Sequence, residues 1–314
     1  MRKLLITGAL GHIGSKFIHD LKENEYQEVR MIDNLATQRY SSLFNLSPKI
    51  KFIFFHEDIL EADLKEYIKG VDTVVHLAAI TDAETSFEKE DEIEKVNFSG
   101  TEKIMETCIS EGCKLIFPST TSVYGSQKEL VDETCDKEDL LPQSPYASFK
   151  LKSEEMIKDM AENNKLDACI LRFGTIFGTS IGMRFHTAVN KFCWQAVLGE
   201  PLSVWKTALN QKRPYLGIND AVNAIRFFIQ RPMSRGDIFN VVTSNYTVQE
   251  VIDSIRKLVN EVKINLVDAE IMNQLSYEAS TKKLQSIGFD FKDNLDNGIE
   301  ETIKLLKDSN NLSF

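Results

Sequence analysis

A short apolar run, Lys3-Leu4-Leu5-Ile6-Thr7, leads directly into Gly8-Ala9-Leu10-Gly11-His12-Ile13-Gly14. No other feature of the chain restricts the fold as much. The run reads as a buried strand, and glycines three apart at its end mark a turn that side chains would obstruct. A helix following the turn aims its first N–H groups and its positive dipole end at one spot, which suits a phosphate. The motif therefore predicts strand, turn, helix. Gly8 permits the turn, Gly11 lets backbone N–H groups approach a pyrophosphate, and Gly14 lets the helix pack on the strand.

The first half of the chain keeps that rhythm. Segments 3–7, 29–32, 51–55, 73–77, 114–118 and 168–172 read as strands, each followed by a helical pattern or a loop. The alternation predicts an α/β fold: a Rossmann-type doubly wound parallel sheet covered on both faces. Ligands in such sheets bind beyond the carboxyl ends of the strands, and the polar motifs fall there. After Thr175 the rhythm changes. A helix over 190–199, a short strand over 202–205, a loop over 215–220 and a helix over 221–230 are expected. A strand over 237–242 returns to the large sheet, and 247–307 reads as mostly amphipathic helix. The expected division is a dinucleotide-binding domain over 1–175, with 219–242 returning to it. Segments 176–218 and 243–314 form a smaller C-terminal substrate-binding region.

Composition narrows the partners. A net charge of −10 opposes a nucleic-acid backbone or an anionic membrane as the main partner, but leaves a small anionic ligand open. No apolar run reaches the ~18–20 residues that span a bilayer. Cys108, Cys113, Cys135, Cys169 and Cys193 lack metal-ligand or disulfide-framework spacing, so reduced thiols in a cytoplasmic protein without a metal site are expected.

Asp33 ends the second predicted strand, where a carboxylate accepts hydrogen bonds from ribose hydroxyls and repels a 2′-phosphate. Asn34 follows and the next arginine, Arg39, lies several residues on, which favours NAD over NADP. Asp58 and Ile59 are expected beside the adenine, and Leu77, Ala78 and Ala79 against the cofactor. His76 reads as a core histidine.

Tyr146 and Lys150 stand four apart, on one face of a helix, after Ser119-Thr120-Thr121. A free phenol, with a pKa of about 10, is a poor base at neutral pH. A neighbouring ammonium and an oxidised nicotinamide both favour the phenolate. Tyr146 is thus expected as the acid/base, Lys150 as its electrostatic partner and ribose anchor, and Thr120 as a second hydroxyl on the same substrate oxygen.

These motifs together resemble the extended short-chain dehydrogenase/reductase family, specifically its NAD-dependent nucleotide-sugar epimerases and dehydratases. The resemblance is carried by Thr7–Gly14, Asp33-Asn34-Leu35, Asp58, His76–Ala79, Asn97, Ser119–Gly125, Tyr146–Lys150 and Arg172–Gly178, and later by Gly199–Trp205 and Arg213–Asp220. Asp33-Asn34-Leu35 looks like the NAD-binding turn of UDP-galactose 4-epimerases. The resemblance implies a UDP-glucose 4-epimerase-like enzyme of nucleotide-diphosphate sugars, a homodimer, with Asn97 in the cofactor site. Arg213 matches the arginine that holds the diphosphate. Trp205 matches a position beside the nucleotide base, with a core tryptophan as the other reading.

Three departures concern the substrate. The acids that dehydratases carry after the threonine, and the glutamate of related decarboxylases, are replaced by Thr121 and Ser122. The usual asparagine after the sixth strand is Thr175. The second arginine of the late glycine-rich motif is missing, leaving Arg184 and His186 as candidates, with a solvated Arg184 as the alternative. The leading expectation is 4-epimerisation of a UDP-hexose through a 4-keto intermediate. A 4-keto-sugar reductase, a dehydratase or a modified-sugar synthase on the same scaffold, and a non-catalytic NAD sensor, remain as alternatives.

Overall fold

The computed structural model describes residues 2–81, 85–125, 128–163, 165–231, 235–268 and 276–310. Strand and helix alternate through the first half: β1 (Arg2–Thr7), α1 (His12–His19), β2 (Tyr26–Asp33), β3 (Phe52–His56), α2 (Leu64–Ile68), β4 (Thr73–His76), α3 (Glu90–Ile93), α4 (Gly100–Glu111), β5 (Lys114–Thr120), β6 (Leu130–Val131), α5 (Pro145–Glu162) and β7 (Ala168–Phe173). There follow β8 (Thr175–Phe177), α6 (Ala188–Val197), β9 (Leu202–Trp205), β10 (Lys212–Gly217), α7 (Ile218–Gln230) and β11 (Arg235–Val241). The last elements are β12 (Ser244–Thr247), α8 (Val248–Arg256), β13 (Ile264–Val267), β14 (Glu278–Ala279), α9 (Lys282–Ser286) and α10 (Leu295–Asn310).

Seven parallel strands form the large sheet in the order β11-β7-β5-β4-β1-β2-β3. The doubly wound reading is met. Alternate residues of the same strands feed two cores: Leu4, Ile6, Val75, Ile116 and Leu171 face α1 and α7. Leu5, Val74, Leu115 and Ile170 face α2, α4 and α5. A sheet buried on both faces needs such near-continuous apolar strands, and these have them. Winding runs outward in both directions from β1 and β4, so the crevice at their carboxyl ends is the place for a ligand.

A third core joins α6, α8 and α10 to Leu202, Val204 and Tyr215. Three small sheets bind this region: β12-β10-β8, β13-β9 and β14-β6. Two expectations change here. Segment 215–220 is no loop: Tyr215 and Leu216 pair with Thr175 and Ile176, and α7 begins at Ile218. Segment 247–307 holds helices, one started by a Thr247–Glu250 capping box, but also β13 and β14. Both misreadings concern short runs whose pairing partners are distant in sequence, which local periodicity does not register.

Candidate active site

The glycine turn is built against the backbone that follows β4. Gly8 has φ +63°, and a Cβ there would meet Ala78 N at 2.6 Å and Leu77 C at 2.7 Å. A Cβ on Gly14 would lie 2.5 Å from Ala9 O. Among the described residues the one atom near a Gly11 Cβ is Gly8 O at 3.3 Å, so the turn is tight behind and open in front. No side chain caps α1, whose first N–H groups therefore suit an anion. This cradle fits a dinucleotide pyrophosphate.

Asp33 reaches back to the turn. Leu10 N–H donates to its Oδ2 at 3.0 Å and Leu35 N–H to its Oδ1 at 2.9 Å. Both oxygens keep a lone pair for ribose hydroxyls. Asn34 Nδ2 donates to Asp58 Oδ2 at 2.9 Å, which ties the ends of β2 and β3 together. Ile59 is buried beside Gly100. Ile13, Leu77 and Ala79 line the main cleft, whereas Ala78 packs on the glycine turn.

Two residues of these motifs turn polar atoms to the scaffold. Asn97, in a π-helical segment between α3 and α4, is wholly buried. Its amide accepts from Ile80 N–H and donates to Ile80 O, both at 2.8 Å, and so shapes the loop after β4. His12 Nε2 lies 3.1 Å from Gly178 O, and burial, with Arg184, lowers its pKa to about 3. His76 bridges Thr7 and Thr101 hydroxyls at 2.7 and 3.0 Å, and burial lowers it to about 3. Its reading as a core histidine agrees with these bonds.

Thr120, Tyr146 and Lys150 meet at the cleft. Thr120 closes β5, and α5 starts with a Ser144 cap on Ala147 N–H and Pro145 in the first turn, which sets Tyr146 at the helix entrance. Burial pushes the phenol up, while Arg184 and a hydrogen bond with Thr120 pull it down. The cation that acts on the phenol here is Arg184, where Lys150 was expected together with the nicotinamide. Lys150 donates to Pro118 O at 2.9 Å and lies 4.4 Å above the Phe117 ring. Burial lowers the ammonium to about 8, with Glu154 opposing that shift.

Thr121, Thr175, Arg184, Trp205 and Arg213 all line the same cleft of about 380 Å³. Arg213 lies over the Tyr277 ring at 5.6 Å and donates to Gln211 Oε1 at 3.1 Å. Tyr277 in turn donates to Thr121 O at 2.9 Å. Tyr277 and Lys191 are cleft residues that sequence reasoning missed. Each stands in an amphipathic segment with no motif around it, and only chain return brings them here.

The family model for the NAD dependent epimerase/dehydratase family matches residues 4–241. The chain is 30% identical over 248 residues, 76% of each chain, to the uncharacterized UDP-glucose epimerase YtcB of Bacillus subtilis (strain 168). It is also 28% identical to a trifunctional UDP-glucose 4,6-dehydratase/UDP-4-keto-6-deoxy-D-glucose 3,5-epimerase/UDP-4-keto-L-rhamnose-reductase of Arabidopsis thaliana. That match takes in 96% of this chain but 46% of the relative, so the chain spans about half its length. Among solved structures, a UDP-glucuronic acid 4-epimerase from Bacillus cereus, in complex with UDP-glucuronic acid and NAD, superposes with TM-score 0.88 at 26% identity. The match covers 98% of this chain and 99% of that one. A UDP-N-acetylglucosamine 4-epimerase from Methanobrevibacter ruminantium M1, in complex with UDP-N-acetylmuramic acid, gives 0.85 at 25%, with 98% and 99% covered. With the glycine cradle, the Asp33 anchor and the Thr120, Tyr146 and Lys150 cluster, these likenesses agree: the chain belongs to the NAD dependent epimerase/dehydratase family.

Proposed function

We propose that this protein is an NAD-dependent nucleotide-sugar 4-epimerase, acting on a UDP-linked hexose or hexose derivative through a 4-keto sugar. One observation carries the reading. Thr120, Tyr146 and Lys150 share a single cleft with Arg213 and Trp205, so proton transfer and nucleotide recognition are within one ligand's length. The solved relatives that hold UDP-sugars with this fold support the same choice.

NAD, when bound, supplies a hydride acceptor and donor at the sugar's C4. The chain's own groups do the rest. Tyr146 removes the C4 hydroxyl proton and later returns it, with Thr120 sharing the hydrogen bond to that oxygen. Arg184 stabilises the charge on the phenolate, and Lys150, held by the Pro118 carbonyl, anchors the ribose. Gly8, Gly11, Gly14, Asp33, Asn34 and Asp58 hold the dinucleotide, with His12, Ile59 and Asn97 supporting the backbone around it. Arg213 holds the diphosphate by charge-assisted bonds, and Trp205 presents a flat apolar face to the base. Thr121, Ser122 and Thr175 bring no acid to the cleft, and this favours epimerisation over elimination. Among the described residues no helix is long and apolar enough to cross a membrane. The reading includes a homodimer through α4 and α5, in the cytoplasm, with the region built from 176–218 and 243–314 as the substrate-binding part.

The test is direct. Purified protein should carry NAD and interconvert a UDP-sugar with its C4 epimer without net NADH production. Steady NADH consumption with a 4-keto sugar would favour the reductase reading, and inertness towards every UDP-sugar would refute an enzyme of this class.

A further inference from the structure

We propose that residues 178–184 form a strap across the dinucleotide crevice, pinned at its base by His12 and latched at its middle by Ser15, and that NAD enters and leaves when the strap lifts. The inference needs the NAD site alone, so it stands or falls apart from the 4-epimerase reading.

The strap is traced by its anchors. It leaves β8 at Gly178, whose carbonyl accepts from His12 Nε2–H at 3.1 Å; His12 is the first residue of α1. Burial, with Arg184, keeps that ring neutral near pH 7, so its one N–H goes to the carbonyl and not to a phosphate. Four residues on, Gly182 N–H donates to Ser15 Oγ at 2.9 Å. A Cβ on Gly182 would lie 2.4 Å from Leu10 O and 2.8 Å from Gly11 O, so the strap's backbone rests directly on the backbone of the glycine turn. Arg184 Nη1 then donates to the Thr81 hydroxyl, beyond the end of β4.

These anchors run from the turn after β1 to the segment after β4. Those two strand ends bound the crevice from which the sheet winds outward in both directions. A segment fixed on both banks spans what lies between. With the dinucleotide's phosphates at the glycine turn, the strap closes their way out.

Its build is that of a moving part. The chain between β8 and α6 holds no helix or strand. Both ends of the strap meet at one buried side chain, Asn190 of α6. Gly178 N–H donates to Asn190 Oδ1 at 3.2 Å, and Asn190 Nδ2 donates to Gly178 O at 3.3 Å and to Arg184 O at 3.2 Å. The base is thus held closed, as in a compact loop whose ends stay together. Gly178 has φ +103°, a conformation that suits glycine and serves as a hinge. The middle, by contrast, is held without apolar packing: Gly182 brings no side chain, and Ile181 is 48% exposed. A contact made of backbone and one hydroxyl closes in register and opens readily.

The experiment uses etheno-NAD, a fluorescent NAD analogue. Loaded protein is chased with unlabelled NAD to give the release rate, and apoprotein is mixed with rising concentrations of the probe to give the entry rate. In the wild type the entry rate should level off at high probe concentration, because binding waits for the strap. Ser15→Ala removes the latch without adding bulk. It should speed release about three- to tenfold, the worth of one buried hydrogen bond, and raise the entry plateau with it, leaving Kd within about twofold. Gly182→Ala, which the turn has no room to seat, should do the same more strongly; thermal unfolding reports whether each variant is folded, and the wild-type plateau decides if neither is. Entry that stays linear in probe concentration, or release that Ser15→Ala leaves unchanged, overturns the inference. So does faster release matched by an equal rise in Kd with no faster entry, which marks damage to the site rather than a freed strap. If the protein takes up no etheno-NAD, there is nothing to gate and the inference falls.

Discussion

Glu154→Gln separates two consequences of one buried charge. The carboxylate accepts from Arg172 Nη2 at 2.6 Å and from Nε at 3.1 Å, with side chains 2% and 3% exposed. The guanidinium also lies 4.8 Å over the Tyr124 ring. The same carboxylate opposes the burial that lowers Lys150 to about 8. Removing its charge leaves Arg172 buried without a counter-ion, a change that costs about 3–5 kcal/mol. Glutamine keeps one acceptor oxygen, so the lower half of that range applies. At roughly 2–4 °C per kcal/mol for a large domain, Tm falls by about 6–16 °C. Lys150 moves too. Without Glu154 its pKa drops below about 8, so less of it is protonated near neutral pH, and any rate that needs the ammonium shifts its limb to lower pH. Thermal unfolding and a kcat–pH profile read the two effects independently. Combining Glu154→Leu with Arg172→Met should recover much of the stability but not the pH profile. If Tm stays within about 2 °C and the profile does not move, the pair is neither buried as an ion pair nor coupled to Lys150.

Other outcomes follow from the same geometry. Gly14→Ala places a Cβ 2.5 Å from Ala9 O and should cost about 1–3 kcal/mol and abolish NAD co-purification, read by denaturant unfolding and nucleotide content. Asp33→Ala frees the Leu10 and Leu35 N–H groups and should weaken NAD binding about tenfold or more, measured by titration of the apoprotein. His12 and His76 are lowered to about 3, so the unfolded chain binds more protons than the fold between about pH 6.5 and 3. Their contribution is complete above the unfolded value and is lost as pH falls through that window, at roughly 1.4 kcal/mol per unit for each histidine. His12→Gln should flatten the acid side of a stability–pH curve. Arg213→Leu should raise KM for a nucleotide sugar about tenfold or more and leave bound NAD unchanged.

Much of this was legible before the structure. The strand–turn–helix at Gly8–Gly14 is a local event: the turn needs glycine at φ +63°, and the run before it has nowhere to go but the sheet. Tyr146 and Lys150 are likewise local, four apart on α5. The contacts that tune them are not. Lys150 turns to the Pro118 carbonyl, 32 residues away, and Arg184 reaches the phenol from a loop that must first fold onto Ser15. Tyr277 comes to Thr121 across 156 residues. Spacing along a sequence identifies which groups share a helix face; it does not say which cation arrives from elsewhere. The reach of Arg184 to the phenol and the strand at 212–217 escape the sequence for that one reason.

The central claim is that Tyr146 moves a proton while the C4 hydrogen leaves and returns without meeting solvent. It is tested most directly with a UDP-sugar deuterated at C4. After equilibration with the purified enzyme, the account predicts the C4 epimer with its deuterium retained, and no product from Tyr146→Phe. Loss of the label to water, or epimer formed as fast by Tyr146→Phe, would contradict it.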